Sequence, residues 1–153
     1  MKKYFEENDI KSDEEKKAFR KNIKDYYNGY CFSDDVKTTV YNPVSLGSFF
    51  NGGCVFKNYW IGTGSQSIVN EVVKNNPKLF SSDNKIENGK SSLSSFEVEN
   101  LLGKNASPNA IYPYLVQAGY MTIIGVDRGR YVLSYPNLEV KYAMETSILE
   151  NSY

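Results

Sequence analysis

Apolar and aromatic side chains recur at helical spacing over residues 13–27 and predict a first amphipathic helix there. The residues that form this stripe are Phe19, Ile23, Tyr26, Tyr27 and Tyr30. The segment Ser12–Glu15 has the S-x-x-E form of a capping box, which predicts the start of the helix. Asn28 and Gly29 follow the stripe, and a glycine in that place predicts a left-handed helix end.

Two further helices are predicted downstream by capping residues and apolar spacing. Asn42 as N-cap and Pro43 at the first helical position predict a helix that ends at Asn51–Gly53. Its inward residues are expected to be Val44, Leu46, Phe49 and Phe50. The next helix is expected over residues 65–75, with Thr63–Ser65 at its start. Its apolar face would comprise Ile68, Val69, Val72 and Val73.

The densest apolar and aromatic run lies at residues 115–137 and predicts a β-hairpin between two helices. Gly119 ends a short helix, and Tyr120–Ile124 is predicted as a strand. Val126–Gly129 is predicted as the turn and Arg130–Tyr135 as the returning strand. Pro136 and Asn137 then open a final helix from Leu138 to about Asn151. A hairpin is marginally stable alone, so the rest of the chain must cover its apolar face.

Composition narrows the possible functions. The chain has 153 residues with 18 basic and 18 acidic side chains, so a general nucleic-acid or membrane-surface binder is not indicated. There is no histidine, which removes the commonest general base and zinc ligand. Cys31 and Cys54 lie far apart in sequence and are expected to be free thiols in a reducing compartment. No apolar run approaches the ~20 residues that span a bilayer, so we expect a cytoplasmic protein without membrane contact.

No constellation of catalytic or metal-binding residues emerges from the sequence. Glu97 and Glu99 could share a strand face, but without a third carboxylate a solvent-facing edge is the stronger interpretation. The serine-rich stretch has neither a G-x-S-x-G elbow nor a histidine partner for a nucleophile. The sequence therefore predicts no catalytic residues, no metal site and no cofactor bound by this chain alone.

A helix followed by a hairpin is also the back half of a winged helix, in which the helix enters the DNA major groove. The candidate helix at residues 109–118 has no lysine or arginine. From residue 107 to the end there are three basic side chains and four acidic ones, a balance of 3 − 4 = −1. DNA binding needs several cations to neutralise phosphates. Only Arg128 and Arg130 at the turn are candidate contacts, and nucleic acid is an unexpected partner.

Five segments, in order, resemble the AAA-ATPase-like family of bacterial proteins. In that family a P-loop ATPase domain is commonly followed by a PD-(D/E)XK nuclease-like domain. The matching segments are Y-Y-N-G-Y-C-F at 26–32, Y-N-P-V-S-L at 41–46, Y-W-I-G-T-G at 59–64, Q-A-G-Y-M-T-I at 117–123 and Y-V-L-S-Y-P-N-L-E-V at 131–140. They extend over most of the chain, and their shared order makes the resemblance specific.

The resemblance implies a fragment: the accessory part that follows an ATPase core, with Walker A loop and nuclease carboxylates lying outside this chain. The fold it implies is mainly α with a small antiparallel β-hairpin. A helical lid-like region would occupy residues 1–80, a polar connector 81–106 and a winged-helix-like region 107–153. Within the connector, residues 81–95 are the most polar and are expected to be a mobile loop or an insertion.

The function implied is that of a non-catalytic regulatory or interaction module of an AAA/STAND-like ATPase. Its partner would be the ATPase core or another protein domain, and ATP and Mg²⁺ would be bound only by a full-length family member. The candidate contacts with the nucleotide-binding core are Tyr27, Asn28, Gly29, Tyr30, Asn42, Pro43 and Trp60. Helix capping and aromatic packing explain several of these residues equally well.

Overall fold

The computed structural model describes residues 1–31, 36–60, 66–75, 86–88 and 108–151. It is mainly helical with a small antiparallel hairpin, which confirms the predicted fold class. The helices are α1 (Lys2–Glu7), α2 (Asp13–Tyr27), α3 (Pro43–Asn51), α4 (Gln66–Asn75), α5 (Pro108–Gln117) and α6 (Leu138–Asn151). The strands are β1 (Ile86–Asn88), β2 (Thr122–Asp127) and β3 (Arg130–Ser134).

Helix α2 has the predicted bounds, and its capping box is formed. The Ser12 hydroxyl oxygen accepts a hydrogen bond from the Glu15 N–H at 3.1 Å. The Glu15 carboxylate accepts one from the Ser12 N–H at 3.4 Å. Helix α1 was not predicted, because its two aromatic residues stand among charged ones. Tyr4 stacks on Phe19 of α2 with ring centroids 4.7 Å apart, so α1 extends the aromatic packing of α2.

Helix α3 begins at the predicted cap, where the Asn42 side-chain oxygen accepts from the N–H groups of Val44 and Ser45. The prediction that Val44 faces inward is wrong, because 56% of it is exposed. Ser45 is buried instead and shares the inward face with Phe49, four residues later. A serine can be buried there because its hydroxyl donates a hydrogen bond to the buried Glu139 carboxyl group.

The hairpin begins two residues later than predicted, and its turn is tighter. Gly119 adopts φ +81°, and the N–H groups of Tyr120 and Met121 donate back to the Leu115 carbonyl at 2.8 and 3.1 Å. Those two residues therefore belong to the helix end, and β2 starts two residues later than expected. The turn is only Arg128–Gly129, both with positive φ as in a type I′ turn.

Strand β3 lies between β1 and β2 in an antiparallel sheet with the order β1-β3-β2. Strand β1 falls within residues 81–95, so a part of the predicted loop is a strand. Three predictions lie outside the described residues: the rest of the 81–95 loop, the capping residues 63–65 of α4, and the pair Glu97 and Glu99. The register between β2 and β3 shifts between Ile123 and Gly125, which leaves Ile124 as the extra residue of a bulge.

Two buried clusters form the core, and α6 packs against both α2 and α4. The first cluster, around α2 and α3, is aromatic, with Ile23, Tyr27 and Phe49 at its centre. The second lies around α5, the hairpin and α6. Its buried members are Tyr30, Val73, Ile111, Tyr112, Leu115, Tyr120, Met121, Leu133, Val140 and Met144. Among the helices of the described ranges, none combines the length and apolarity needed to cross a membrane.

Candidate functional site

The end of α2 is held against the start of α6 by close backbone contact. Gly29 has φ +101°, and a Cβ atom there would lie 1.8 Å from the Pro136 carbonyl oxygen. The Asn137 side-chain nitrogen donates to the Asn28 carbonyl at 2.8 Å. The Asn137 side-chain oxygen accepts from the Val140 N–H at 3.1 Å and so caps α6. One asparagine therefore caps α6 and fixes the end of α2.

The segment that precedes α3 also packs against this junction, by which we mean the contact between the end of α2 and the start of α6. Tyr30 and Val40 form an antiparallel bridge with N–H to O distances of 3.2 and 2.9 Å. The Asn42 N–H donates to the Tyr27 carbonyl at 2.9 Å. Burial raises the pKa of the Tyr30 phenol to about 12, although the nearby Asn42 and Asn137 side chains act in the opposite direction. Tyr30 is therefore a neutral phenol throughout the physiological range.

Tyr27 and Cys31 join the junction to two other segments by hydrogen bonds. The Tyr27 hydroxyl donates to the Lys57 carbonyl at 2.9 Å and accepts from the Lys57 N–H at 3.3 Å. Burial is the main reason why the pKa of Tyr27 rises to about 12. The Cys31 N–H donates to the Thr122 hydroxyl at 2.8 Å, and that hydroxyl donates to the Cys31 carbonyl at 3.2 Å. Segments from across the sequence therefore converge here.

Glu139 is the buried acid of this junction and was not among the predicted site residues. Only 1% of it is exposed, and burial raises the pKa of its carboxyl group above the ordinary value of 4.5. The Ser45 hydroxyl donates to this carboxyl at 2.7 Å and the Tyr59 N–H at 3.2 Å. Sequence reasoning missed it because an acidic residue in the first turn of a helix is ordinary. Its burial depends on α3, which lies far away in sequence.

Of the seven predicted contact residues, the structure brings five into this junction through intramolecular contacts: Tyr27, Asn28, Gly29, Tyr30 and Asn42. Trp60 packs on Tyr120 with centroids 5.0 Å apart. A Cβ atom on Gly119 would lie 3.2 Å from the Trp60 ring and 3.5 Å from the Tyr30 ring, so Trp60 borders the junction as well. Whether any of these residues contacts an ATPase core stays a prediction.

Pro43 differs from the other six because it is exposed. It lies in an apolar patch formed by Val40, Tyr41, Pro43 and Val44, of which Val40 is 44%, Tyr41 37% and Val44 56% exposed. A groove of about 270 Å³ adjoins the patch, and Gln117, Ala118 and Gly119 form its other wall. Among the residues that the structure describes, no charged side chain lines this groove.

Arg128 and Arg130 are both exposed at the hairpin turn. Neither guanidinium group has an ion pair or hydrogen bond within the described ranges. Helix α5, the candidate DNA-reading helix, directs Ile111 and Leu115 into the core, and both are fully buried. The turn thus offers two cations, while the apolar face of α5 is already packed in the core.

Cys31 is buried and Cys54 half-buried, and the two are not joined to each other. Within the described part of the chain, no group of three or more cysteine, aspartate or glutamate side chains is placed to hold a metal ion.

The chain is similar to one curated protein, the uncharacterized protein in the vnfD 5′ region of Azotobacter chroococcum mcd 1. The two are 32% identical over 134 residues, which is 85% of this chain and 24% of that protein. The chain thus spans about a quarter of the length of the relative it matches. No protein-family model matches the chain, and no solved structure matches it significantly.

Proposed function

We propose that this chain is a non-catalytic accessory module of an AAA/STAND-like ATPase that packs on a nucleotide-binding core and mediates domain or protein interaction. The observation that carries the proposal is the exposed apolar patch of Val40, Tyr41, Pro43 and Val44, beside a groove in which the described lining residues carry no charge. In this proposal the module works in the cytoplasm, and ATP and Mg²⁺ bind to the core.

The patch has the character of a protein-binding surface. Tyr41 supplies a large ring with few rotatable bonds, and such residues are enriched at the centres of interfaces. Val40 and Val44 add exposed apolar area on either side, and a contiguous apolar surface favours burial against a partner. The junction below holds the patch in place, because Asn42 both caps α3 and donates to Tyr27.

Two further observations support a module within a larger protein. The segment Y-N-P-V-S-L, which carries part of the resemblance to the ATPase-like family, includes three of the four patch residues. The Azotobacter relative extends well beyond the matched region, since that region is 24% of its length. A neighbouring domain in such a protein is the simplest occupant for an uncharged apolar surface.

The test divides the Azotobacter relative into its matched segment and the remaining polypeptide, and measures their association by calorimetry. This chain is then used in place of the matched segment. We expect association in both experiments and ATP turnover only when the remaining polypeptide is present. Val44→Asp in this chain should abolish association, because it places a charge in the buried contact.

Val126→Asp is the matched control, because Val126 is also exposed, at 49%, but lies on the hairpin outside the patch. It should leave association unchanged. The proposal fails if neither segment associates, if both aspartate variants weaken association equally, or if this chain alone hydrolyses ATP.

The second candidate is a winged-helix-type nucleic-acid-binding module, favoured by the two exposed arginines at the hairpin turn. Fluorescence anisotropy with duplex DNA at low salt tests it. Binding that disappears in the Arg128→Ala plus Arg130→Ala variant, and weakens steeply with salt, would support this function. Absence of binding, or binding that the double variant retains, would refute it.

A further inference from the structure

A pocket of about 580 Å³ lies between the end of α2 and the start of α6, on a different part of the junction from the apolar patch. Lys24 and Asn28 line it from α2, and Asn137, Leu138 and Lys141 line it from α6. Sites for small molecules typically enclose about 300–1,000 Å³. The pocket is therefore large enough for a ligand, and its partly apolar lining includes several hydrogen-bond donors.

Asn28 is the first of these donors. Only 7% of the residue is exposed. Its side-chain oxygen accepts from the Gly29 N–H at 2.6 Å, while its side-chain nitrogen donates to no group in the described ranges. Because Asn28 lines the pocket, water or a ligand oxygen there can reach this donor. A ligand oxygen in the pocket would satisfy this one.

The start of α6 supplies a second kind of donor. The first N–H groups of a helix have no partner within it, and here Asn137 caps only the N–H of Val140. The N–H groups of Leu138 and Glu139 come before Val140 in the first turn. They lie at the positive end of the dipole of a 14-residue helix. Helix starts of this kind bind phosphate and other oxyanions.

The charges around the pocket are positive on balance. Lys24 and Lys141 line it together with Asp25, whose carboxylate is ion-paired with Lys21. Lys141 is ion-paired at 3.9 Å with the Glu145 carboxylate, four residues later in α6. Of the charged side chains that line the pocket, two are cations and one is an anion, 2 − 1 = +1, in a chain whose net charge is zero.

We propose that this pocket binds a phosphate-bearing small molecule, with the phosphate oxygens accepting from the Asn28 side chain and the start of α6 and facing the two lysines. This site does not depend on the proposed accessory function, since it uses neither the apolar patch nor a protein partner. A ligand there would stabilise the contact between α2 and α6.

Calorimetric titration of the whole chain with inorganic phosphate and with AMP tests the proposal. Binding of both with equal affinity indicates a site for the phosphate group alone, and tighter AMP binding indicates a larger ligand that fills more of the pocket. The Lys24→Ala plus Lys141→Ala variant should weaken binding about tenfold or more, because both charge-assisted contacts are lost. Lys17→Ala is the matched control on the exposed face of α2 and should bind like the unmodified chain.

Asn28→Asp provides a second variant of nearly the same shape. The aspartate can still accept from Gly29, but it replaces the free donor with a negative oxygen, so binding should be lost. If this variant does not fold, the lysine variants decide alone. Absence of heat with both probes overturns the proposal, as does equal weakening by the double variant and by Lys17→Ala. Val44→Asp should leave phosphate binding unchanged, which separates this test from that of the accessory function.

Discussion

Gly29→Ala is the substitution that most directly probes the junction. The added methyl group would lie 1.8 Å from the Pro136 carbonyl oxygen and 2.8 Å from its carbon. Real Cβ atoms do not approach backbone so closely, and no side-chain rotation can relieve this contact. The α2 end and the α6 start must therefore separate, and the hydrogen bond from Asn137 to the Asn28 carbonyl, 2.8 Å in the unmodified chain, is expected to break.

Two contributions set the size of the effect. A non-glycine residue in the left-handed region costs roughly 1–2 kcal/mol. Loss of a buried hydrogen bond that leaves its acceptor unsatisfied costs about 1–3 kcal/mol. We therefore expect Gly29→Ala to lower the free energy of unfolding by about 2–5 kcal/mol. For a chain of this size that lowers Tm by roughly 4–20 °C.

Urea denaturation and thermal unfolding followed by circular dichroism measure this loss. Gly53→Ala is the matched control, because Gly53 also has a positive φ, +78°, but nothing lies within 4 Å of its added methyl group. It should show the backbone cost alone, about 1–2 kcal/mol. Gly47→Ala lies in helix α3 with open space around it and should be neutral or stabilising by up to about 1 kcal/mol. Equal losses for Gly29→Ala and Gly53→Ala would refute the close contact with Pro136.

Three other substitutions test the hydrogen bonds and the buried acid. Tyr27→Phe keeps the buried ring but removes the hydroxyl that bonds both Lys57 backbone groups. The free energy of unfolding, measured by urea titration, should therefore fall by about 1–3 kcal/mol. An unchanged midpoint would contradict those bonds. Burial raises the pKa of Glu139, so the folded chain holds its proton to higher pH than the unfolded chain. Its contribution to stability is thus greatest below the ordinary value of 4.5 and is lost as pH rises through the folded pKa. Glu139→Gln should flatten that part of the stability–pH curve, and a slope equal to that of the unmodified chain would exclude a buried, titrating Glu139. Ser12→Ala removes the α2 cap and should cost about 1 kcal/mol, measured by thermal unfolding, whereas no loss would show that Glu15 alone sustains the helix start.

The sequence by itself determined the helices whose caps and apolar spacing are local. Helix α2 follows from a capping box and a five-residue apolar stripe, and α3 follows from Asn42–Pro43. These signals are reliable because cap and helix lie within a few residues of each other, so no distant contact is needed to interpret them. The fold class, mainly α with one hairpin, followed from the same local patterns.

Only the tertiary structure decided which polar residues are buried. Ser45, rather than the predicted Val44, lies on the inward face of α3. It can be buried there because the Glu139 carboxyl group, 94 residues away in sequence, accepts its hydrogen bond. Asn28 and Gly29 were predicted as a helix end, and that interpretation is consistent with the structure. Their close contact with Pro136 and Asn137, however, depends on how α6 packs. The spacing of apolar residues along a chain indicates the type of element but not which elements pack against it. The pocket between α2 and α6 therefore exists only when both helices are packed together.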